Sequence, residues 1–231
     1  MEVVAGTRNT AKLTELQRLV GDAARTVPPP PEAGEIEVDE RGETFEENAA
    51  AKALAWSRHL HDTGVASLVI ASDGGLLISA LANWNPLRSR RFAGPDATDQ
   101  ERAERLIEMS GSLAGDERTI CWQEAVAIAD QSEVVGIWCA ESAPGMLATS
   151  VDRKLIDRRP GFWIPAIWLV PQCGNRLLAT LSDAERDQLD DHWQRLRAPV
   201  RQALVTMGRE MRSNPGQINK ERSENRGSSS R

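Results

Sequence analysis

Leu68-Val69-Ile70-Ala71-Ser72-Asp73-Gly74-Gly75-Leu76 is the stretch that decides the fold class. Its first four residues are apolar and β-branched enough to predict a short buried strand. An acid, Asp73, stands at the predicted strand's carboxyl end, and two glycines after it let a ligand come close to the backbone. In open α/β sheets, ligands collect beyond the carboxyl ends of strands, which puts Asp73 where chemistry is done. Asp-Gly is also a common turn dipeptide, and taken alone the stretch reads as a solvated turn. The case for function rests on what else converges on Asp73.

Toward the N-terminus, Val3-Val4-Ala5 predicts a first strand, followed by the polar turn Gly6-Thr7-Arg8-Asn9. Leu13, Leu16, Leu19 and Val20 then recur at helical spacing, so a helix begins at Asn9 or Thr10. A strand, a tight turn and a helix N-terminus leave backbone N–H groups facing outward, an arrangement that favours an anion. Arg8 and Lys12 add charge; a capped helix with a solvated lysine is the plainer alternative. Pro28 to Pro31 end this unit, and an extended piece is expected around Glu35-Ile36-Glu37-Val38. Gly42 to Ala53 is alanine-rich and predicts a strong helix. On it Glu43 and Glu47 share one face, as do Asn48 and Lys52. Paired carboxylates can help hold a Mg²⁺ that keeps most of its waters, or simply form a solvated face suited to the helix dipole.

Toward the C-terminus, the loop from Asn83 to Gly94 carries Arg88, Arg90 and Arg91, the sharpest basic cluster in the chain. Bidentate grip on phosphate and surface pairing with acids account for it equally well. Thr98-Asp99-Gln100-Glu101 is a capping box that opens a helix through Met109. Thr119–Ile128 and Glu133–Ala140 predict a hairpin turning at Asp130-Gln131. Ala143-Pro144-Gly145 is a turn. Arg158-Arg159-Pro160-Gly161 leads into the aromatic run Phe162 to Val170, which Pro165 breaks or moves off the sheet centre. Its rings serve either to stack a base or, as such side chains more often do, to fill core. Ser182-Asp183-Ala184-Glu185 is a second capping box, followed by a long helix with Leu189, Trp193, Leu196, Val200 and Leu204 on one face. Pro199 is expected to kink or split that helix. Residues 213–231 are polar and Ser/Gly-rich, a disordered tail behind a single domain at 1–212.

The 231 residues are 40% apolar and 27% charged, the balance of an ordinary soluble globular protein. The seven tryptophans without a single tyrosine are unusual. No apolar run reaches membrane-spanning length and no signal pattern opens the chain, so the expectation is cytoplasmic, with no membrane partner. Cys121, Cys139 and Cys173 lack metal-ligand spacing and read as reduced thiols. A net charge of −6 argues against coating a nucleic acid polymer and leaves open a small phosphorylated ligand in a local basic pocket.

Set in order, these segments resemble the inosine triphosphate pyrophosphatase family, hydrolases of non-standard purine nucleoside triphosphates. The likeness runs over about residues 1 to 205. The family's Thr-Gly-Asn-x-x-Lys-x-x-Glu is similar to Thr7-Arg8-Asn9-Thr10-Ala11-Lys12-Leu13-Thr14-Glu15. Its Thr-Phe-x-Glu-Asn-Ala-x-x-Lys-Ala matches Thr44-Phe45-Glu46-Glu47-Asn48-Ala49-Ala50-Ala51-Lys52-Ala53. Its Asp-Asp-Ser-Gly-Leu resembles Ser72 to Leu76, its Ser-Ala-Arg-Tyr-Ala-Gly resembles Ser89 to Gly94, and Ala97-Thr98-Asp99 also fits. Its Gly-Phe-Gly-Tyr-Asp-Pro-x-Phe resembles Gly161 to Trp168. The departures are Arg8 for glycine, Ser72 for the first aspartate, Gly74 for a substrate-binding serine and Pro165 for an aspartate. A later Lys and Ser-His-Arg group finds only an echo in Arg186 and Asp191-His192-Trp193.

The resemblance implies an α/β fold of two lobes, elongated around a long mixed sheet flanked by helices, in a homodimer. It implies Mg²⁺-dependent hydrolysis of a nucleoside triphosphate to monophosphate and pyrophosphate. Asp73 is then catalytic, and Glu47 with Asp73 holds the metal. Thr7, Arg8, Asn9, Lys12, Lys52, Gly74, Arg91, Phe162, Arg186 and His192 bind substrate. The phosphate-handling motifs persist while those that read the base have changed, which implies altered or relaxed base choice. Two alternatives stand beside this: a nucleotide-binding protein that has lost hydrolysis, and a structural subunit using its tryptophans as interface anchors.

Overall fold

A computed structural model describes residues 1–34, 36–65, 68–89, 91–131, 133–156 and 161–213. Among the described residues, eight strands and six helices follow one another: β1 (Glu2–Ala5), α1 (Thr10–Val20), β2 (Arg25–Val27), α2 (Phe45–Asp62), β3 (Leu68–Leu77), α3 (Asp99–Met109), β4 (Thr119–Asp130), β5 (Glu133–Glu141), β6 (Gly145–Leu147), α4 (Arg153–Ile156), β7 (Trp168–Val170), β8 (Arg176–Leu177), α5 (Asp183–Arg186) and α6 (His192–Ser213). The strands form one mixed sheet in the order β2-β1-β3-β4-β6-β7-β8, with β5 also on β4. Only the β1–β2 and β1–β3 pairs are parallel. The expected α/β sheet flanked by helices is therefore present.

Asp73 does not stand at a strand's end. Ser72 to Leu76 continue β3, which pairs antiparallel with β4 from Leu68↔Asp130 to Leu77↔Cys121. The two glycines serve close approach inside a strand rather than a turn. A Cβ on Gly75 would lie 2.4 Å from the Pro86 carbonyl oxygen and 2.8 Å from Phe45 Cζ.

The alternation of β3 and β4 sorts the core. Val3, Ala5, Leu68, Ile70, Val126 and Ile128 face α1 and α6 and meet Leu16, Leu19, Leu196, Val200 and Leu204. Ala71, Ala125, Ala127 and Ala129 face α2, where Ala49 and Ala53 let helix and sheet approach closely. A second core gathers Leu76, Leu106, Ile120, Leu147, Ile167 and Trp168 around the far end of β4. There Arg118 is a buried staple, its guanidinium donating to the carbonyls of Leu147 at 2.8 Å, Ser110 at 2.8 Å and Leu113 at 3.3 Å, and to that of Ala148.

Several local expectations hold. Asn9 caps α1, Thr44 caps α2, Thr98 and Glu101 close a capping box on α3, and the β4–β5 hairpin forms. Pro165 lies in a single 3₁₀ turn, Ile164–Ala166, and the strand begins only at Trp168. Other expectations are corrected. The Ser182 box opens a four-residue helix, and the long helix starts afresh at His192. That helix runs unbroken through Pro199, because the apolar stripe Leu196, Val200 and Leu204 is buried against the sheet and packing outweighs the lost hydrogen bond. Glu43 precedes the N-cap and so shares no helical face with Glu47. Glu35, Arg90, Arg158 to Pro160 and the expected tail beyond Ser213 lie outside the described residues; Ser213 itself ends α6. Of the seven tryptophans, Trp56, Trp163 and Trp168 are buried and the other four are half-buried.

Gly75→Ala should lower the unfolding free energy by about 1–3 kcal/mol, the usual cost of overpacking, because the Pro86 carbonyl cannot swing aside as a side chain would. Urea titration of the two proteins checks this; equal midpoints would show that the Pro86 turn yields.

Candidate active site

The parallel part of the sheet ends early. β1 stops at Ala5, opposite Ile70, while β3 runs on for seven more residues. Beyond Ile70 the edge of β3 is therefore not covered by β1. Because side chains alternate, Ser72 and Gly74 face α1 and α6, whereas Asp73 and Gly75 face α2. An ammonium group reaches this edge from each side.

On the α2 side, Lys52 Nζ donates to Asp73 Oδ1 at 2.5 Å and lies 3.4 Å from Glu40 Oε1. Glu40, which sequence reasoning missed, precedes α2 in a stretch with no period. Glu47 is exposed and turned back on its own helix start, accepting from the Glu43 backbone N–H at 2.6 Å. Among the described residues no three His, Cys, Asp or Glu gather as a metal-ligand cluster. Two carboxylates do already accommodate a cationic ammonium at Lys52, and hard oxygen donors of this kind suit Mg²⁺ with water and phosphate completing its shell. The residues present fit that ion.

On the opposite face, Lys12 Nζ donates to the Ser72 carbonyl at 3.3 Å and to Glu124 Oε1 at 3.4 Å. Glu124 is a buried carboxylate, 1% exposed, and was not anticipated. The available signal was the alternation of β4, which puts residue 124 on the buried face with Ile120, Val126 and Ile128. Trp122 Nε1–H donates to Glu124 Oε2 at 2.8 Å. Burial pushes the Glu124 carboxyl up, but Lys12, His192 and the Trp122 N–H outweigh it and leave it below the ordinary carboxylate range. Gly74 stands directly opposite Glu124, and a Cβ there would lie 2.1 Å from Oε2. The position expected to touch substrate is thus covered by a neighbouring carboxylate.

The turn before α1 is also more closed than expected. Asn9 Oδ1 accepts from the Ala11 and Lys12 N–H groups at 2.9 and 3.2 Å, and Thr7 Oγ1 accepts from the Asn9 N–H at 3.1 Å. Arg8 points away to the proline segment, donating to the carbonyls of Gly34 at 2.6 Å, Pro30 at 3.0 Å and Pro29 at 3.1 Å. Its guanidinium also lies over the Trp56 ring. Its observed work is to strap that segment to the turn.

Beside this face opens a cleft of about 1140 Å³, its mouth included, walled by Trp122, Phe162, Arg186, Asp191, His192 and Trp193. Phe162, Arg186 and His192 were expected together and do share it. Phe162 and His192 flank Trp122 at ring distances of 6.5 and 6.0 Å. Arg186 donates to the Leu178 carbonyl at 2.8 Å. Arg91 is exposed in the loop after Pro86–Arg88 and does not line the cleft. Burial pushes the His192 imidazole down to about 4, with Glu124 opposing this and Lys12 reinforcing it. At neutral pH the cleft wall therefore presents a neutral ring.

A mixed sheet with a lysine–carboxylate pair on each face and an aromatic cleft alongside defines an α/β protein with a polar, cation-lined edge. The chain belongs to the Ham1 family, whose profile matches residues 3–198, and this bears out the inosine triphosphate pyrophosphatase resemblance. It is 30% identical over 201 residues to a dITP/XTP pyrophosphatase of Coxiella burnetii, covering 85% of this chain and 93% of that one. A dITP/XTP pyrophosphatase of Escherichia coli O157:H7 is also 30% identical, over 202 residues, with 85% and 94% covered. Among solved structures, a HAM1 protein from Coxiella burnetii superposes with a TM-score of 0.70 at 26% identity, covering 89% of this chain and 99% of that one. A Mycobacterium abscessus nucleoside-triphosphatase / dITP/XTP pyrophosphatase gives 0.58 at 28% identity, with 81% and 92% covered.

The depressed His192 sets a pH dependence. The folded ring stays neutral to about pH 4, while the unfolded one takes a proton near its ordinary 6.5. Stability from this residue is complete above the unfolded value and is lost as pH falls toward the folded one. Thermal melts of wild type should therefore fall between pH 6.5 and pH 4.5, and His192→Asn should flatten that slope. A parallel slope in both proteins would refute the assignment.

Proposed function

We propose that this chain is a Mg²⁺-dependent nucleoside triphosphate pyrophosphatase acting on non-standard purine nucleotides, as its relatives' names indicate for them. The observation that carries this reading is the edge of β3 beyond β1, approached by Lys12 from one face and by the Lys52–Asp73 pair from the other. The triphosphate lies along that edge between the two ammonium groups, with Thr7, Asn9 and Arg91 at its periphery. The base enters the cleft between Trp122 and Phe162, near Arg186 and His192. Asp73 orients a water toward the α-phosphorus and takes its proton. The new P–O bond forms as the bond to the β-phosphate breaks, and pyrophosphate leaves. Asp73 and Glu47, with Glu40 nearby, would hold Mg²⁺, which supplies neutralisation of charge on the leaving group. Lys52 swings from Asp73 to a phosphate oxygen, freeing the carboxylate for its task.

The neutral His192 and the carboxylate of Asp191 at the cleft wall favour altered base selection within this reading. The working form is taken as a cytoplasmic homodimer on the family pattern, without a membrane or nucleic acid partner; no helix among the described residues is long and apolar enough to cross a membrane. A second reading, nucleotide binding without turnover, draws on one observation: Asp73 is closed by Lys52 in the free chain.

Pyrophosphate release from inosine, xanthosine, guanosine and pyrimidine triphosphates with Mg²⁺ distinguishes the two. The expected result is turnover of at least one purine substrate and a fall of about 10²–10⁴ in kcat for Asp73→Asn, the range for loss of a general base. Equal activity of that variant would defeat the role of Asp73, and binding without release would favour the second reading.

A further inference from the structure

Resting on the reading of Lys12 as a polyphosphate ligand, we propose that Glu124 is a positioning residue that masks Lys12 until a polyphosphate displaces it and that anchors Trp122 as the wall of the base cleft. One carboxylate makes both contacts. Oε1 faces the Lys12 ammonium at 3.4 Å, and Oε2 accepts the Trp122 indole N–H at 2.8 Å. Both partners reach toward solvent, the Lys12 side chain 33% exposed and Trp122 lining the cleft, whereas Glu124 has no route to it. It therefore acts through its neighbours.

Three further features favour a device over a packing accident. Gly74 has no Cβ, and the space a Cβ would need is held by Oε2 and by the Gln123 backbone oxygen, so the carboxylate packs flush against the neighbouring strand. Ser72, where the family motif carries an aspartate, is buried on the same face, and its hydroxyl lies against Glu124 and helps to hold that carboxyl down. Glu124 thus brings to this face a negative charge that position 72 lacks. Finally, a buried carboxylate is costly unless partnered, and here Lys12 and Trp122, which both flank the proposed substrate path, hold it together with Ser72 and the nearby His192. The Lys12 contact is the longer and more exposed, so it is the one a triphosphate can replace.

Calorimetry with the full chain separates the two contacts. The probes are inorganic tripolyphosphate and inosine triphosphate bearing a non-hydrolysable α,β-methylene bridge, both with Mg²⁺, so turnover is not required. Glu124→Gln keeps an acceptor for Trp122 and removes the charge on Lys12. Both ligands should then bind about fivefold more tightly, with their ratio unchanged, as expected for removing one nearby charge in a protein environment. The gain should vanish in a Lys12→Met background. Trp122→Phe keeps an aromatic ring without the N–H. It should leave tripolyphosphate affinity unchanged and weaken the nucleotide about fivefold, within the range for losing an aromatic contact to a base. Thermal melts of each variant verify folding; if Glu124→Gln does not fold, Trp122→Phe alone decides, and an unchanged ratio there overturns the proposal. Wild-type affinities in Glu124→Gln, or weakening of both ligands together, also overturn it, as does a wild type that binds neither probe. A wild type that binds both but releases no pyrophosphate overturns only the enzyme reading.

Discussion

The long antiparallel ladder between β3 and β4 is the constraint on which the remainder depends. Its register puts Asp73 opposite Ala125 and Gly74 opposite Glu124, and so sends two carboxylates to opposite faces of one sheet. The helices then follow from side-chain size. Alanines on one face pack against Ala49 and Ala53 of α2, whose Lys52 reaches Asp73, while larger residues on the other meet α1 and α6. A shift of one residue would exchange every one of these side chains between faces and dissolve both ion pairs at once.

What could be read from the chain alone was what local chemistry specifies. Asn9, Thr44 and Thr98 mark helix starts because a side-chain oxygen satisfies donors two or three residues away, and the hairpin at Asp130 is equally local. The continuation of β3 through Asp73-Gly74-Gly75 was not legible, because Asp-Gly favours turns and only a partner some fifty residues later holds it extended. Pro199 does not split α6 for the same reason: a buried stripe outweighs a local penalty. Of the site, Phe162, Arg186 and His192 do gather in one cleft, as the order of motifs implied. Glu124 and Glu40 escaped notice because neither belongs to a motif, though the alternation of β4 marked residue 124 as inward-facing.

The site is built largely from side chains rather than backbone. The first turn of α1 has its donors satisfied by Asn9, and Arg8 is committed to the proline segment. Binding at the β3 edge then depends on two flexible ammonium groups that each hold a carboxylate at rest. Such an edge exchanges one anion for another instead of offering a preformed cradle, which keeps a strongly charged site from collecting every anion that passes.

The crowding at Gly74 has a consequence for variation. A Cβ there would stand 2.6 Å from the Gln123 backbone oxygen as well as 2.1 Å from Glu124 Oε2. The carboxylate end of Glu124 can swing aside, whereas the β4 backbone cannot. A side chain at position 74 therefore asks the ladder itself to shift, whichever residue stands at 124.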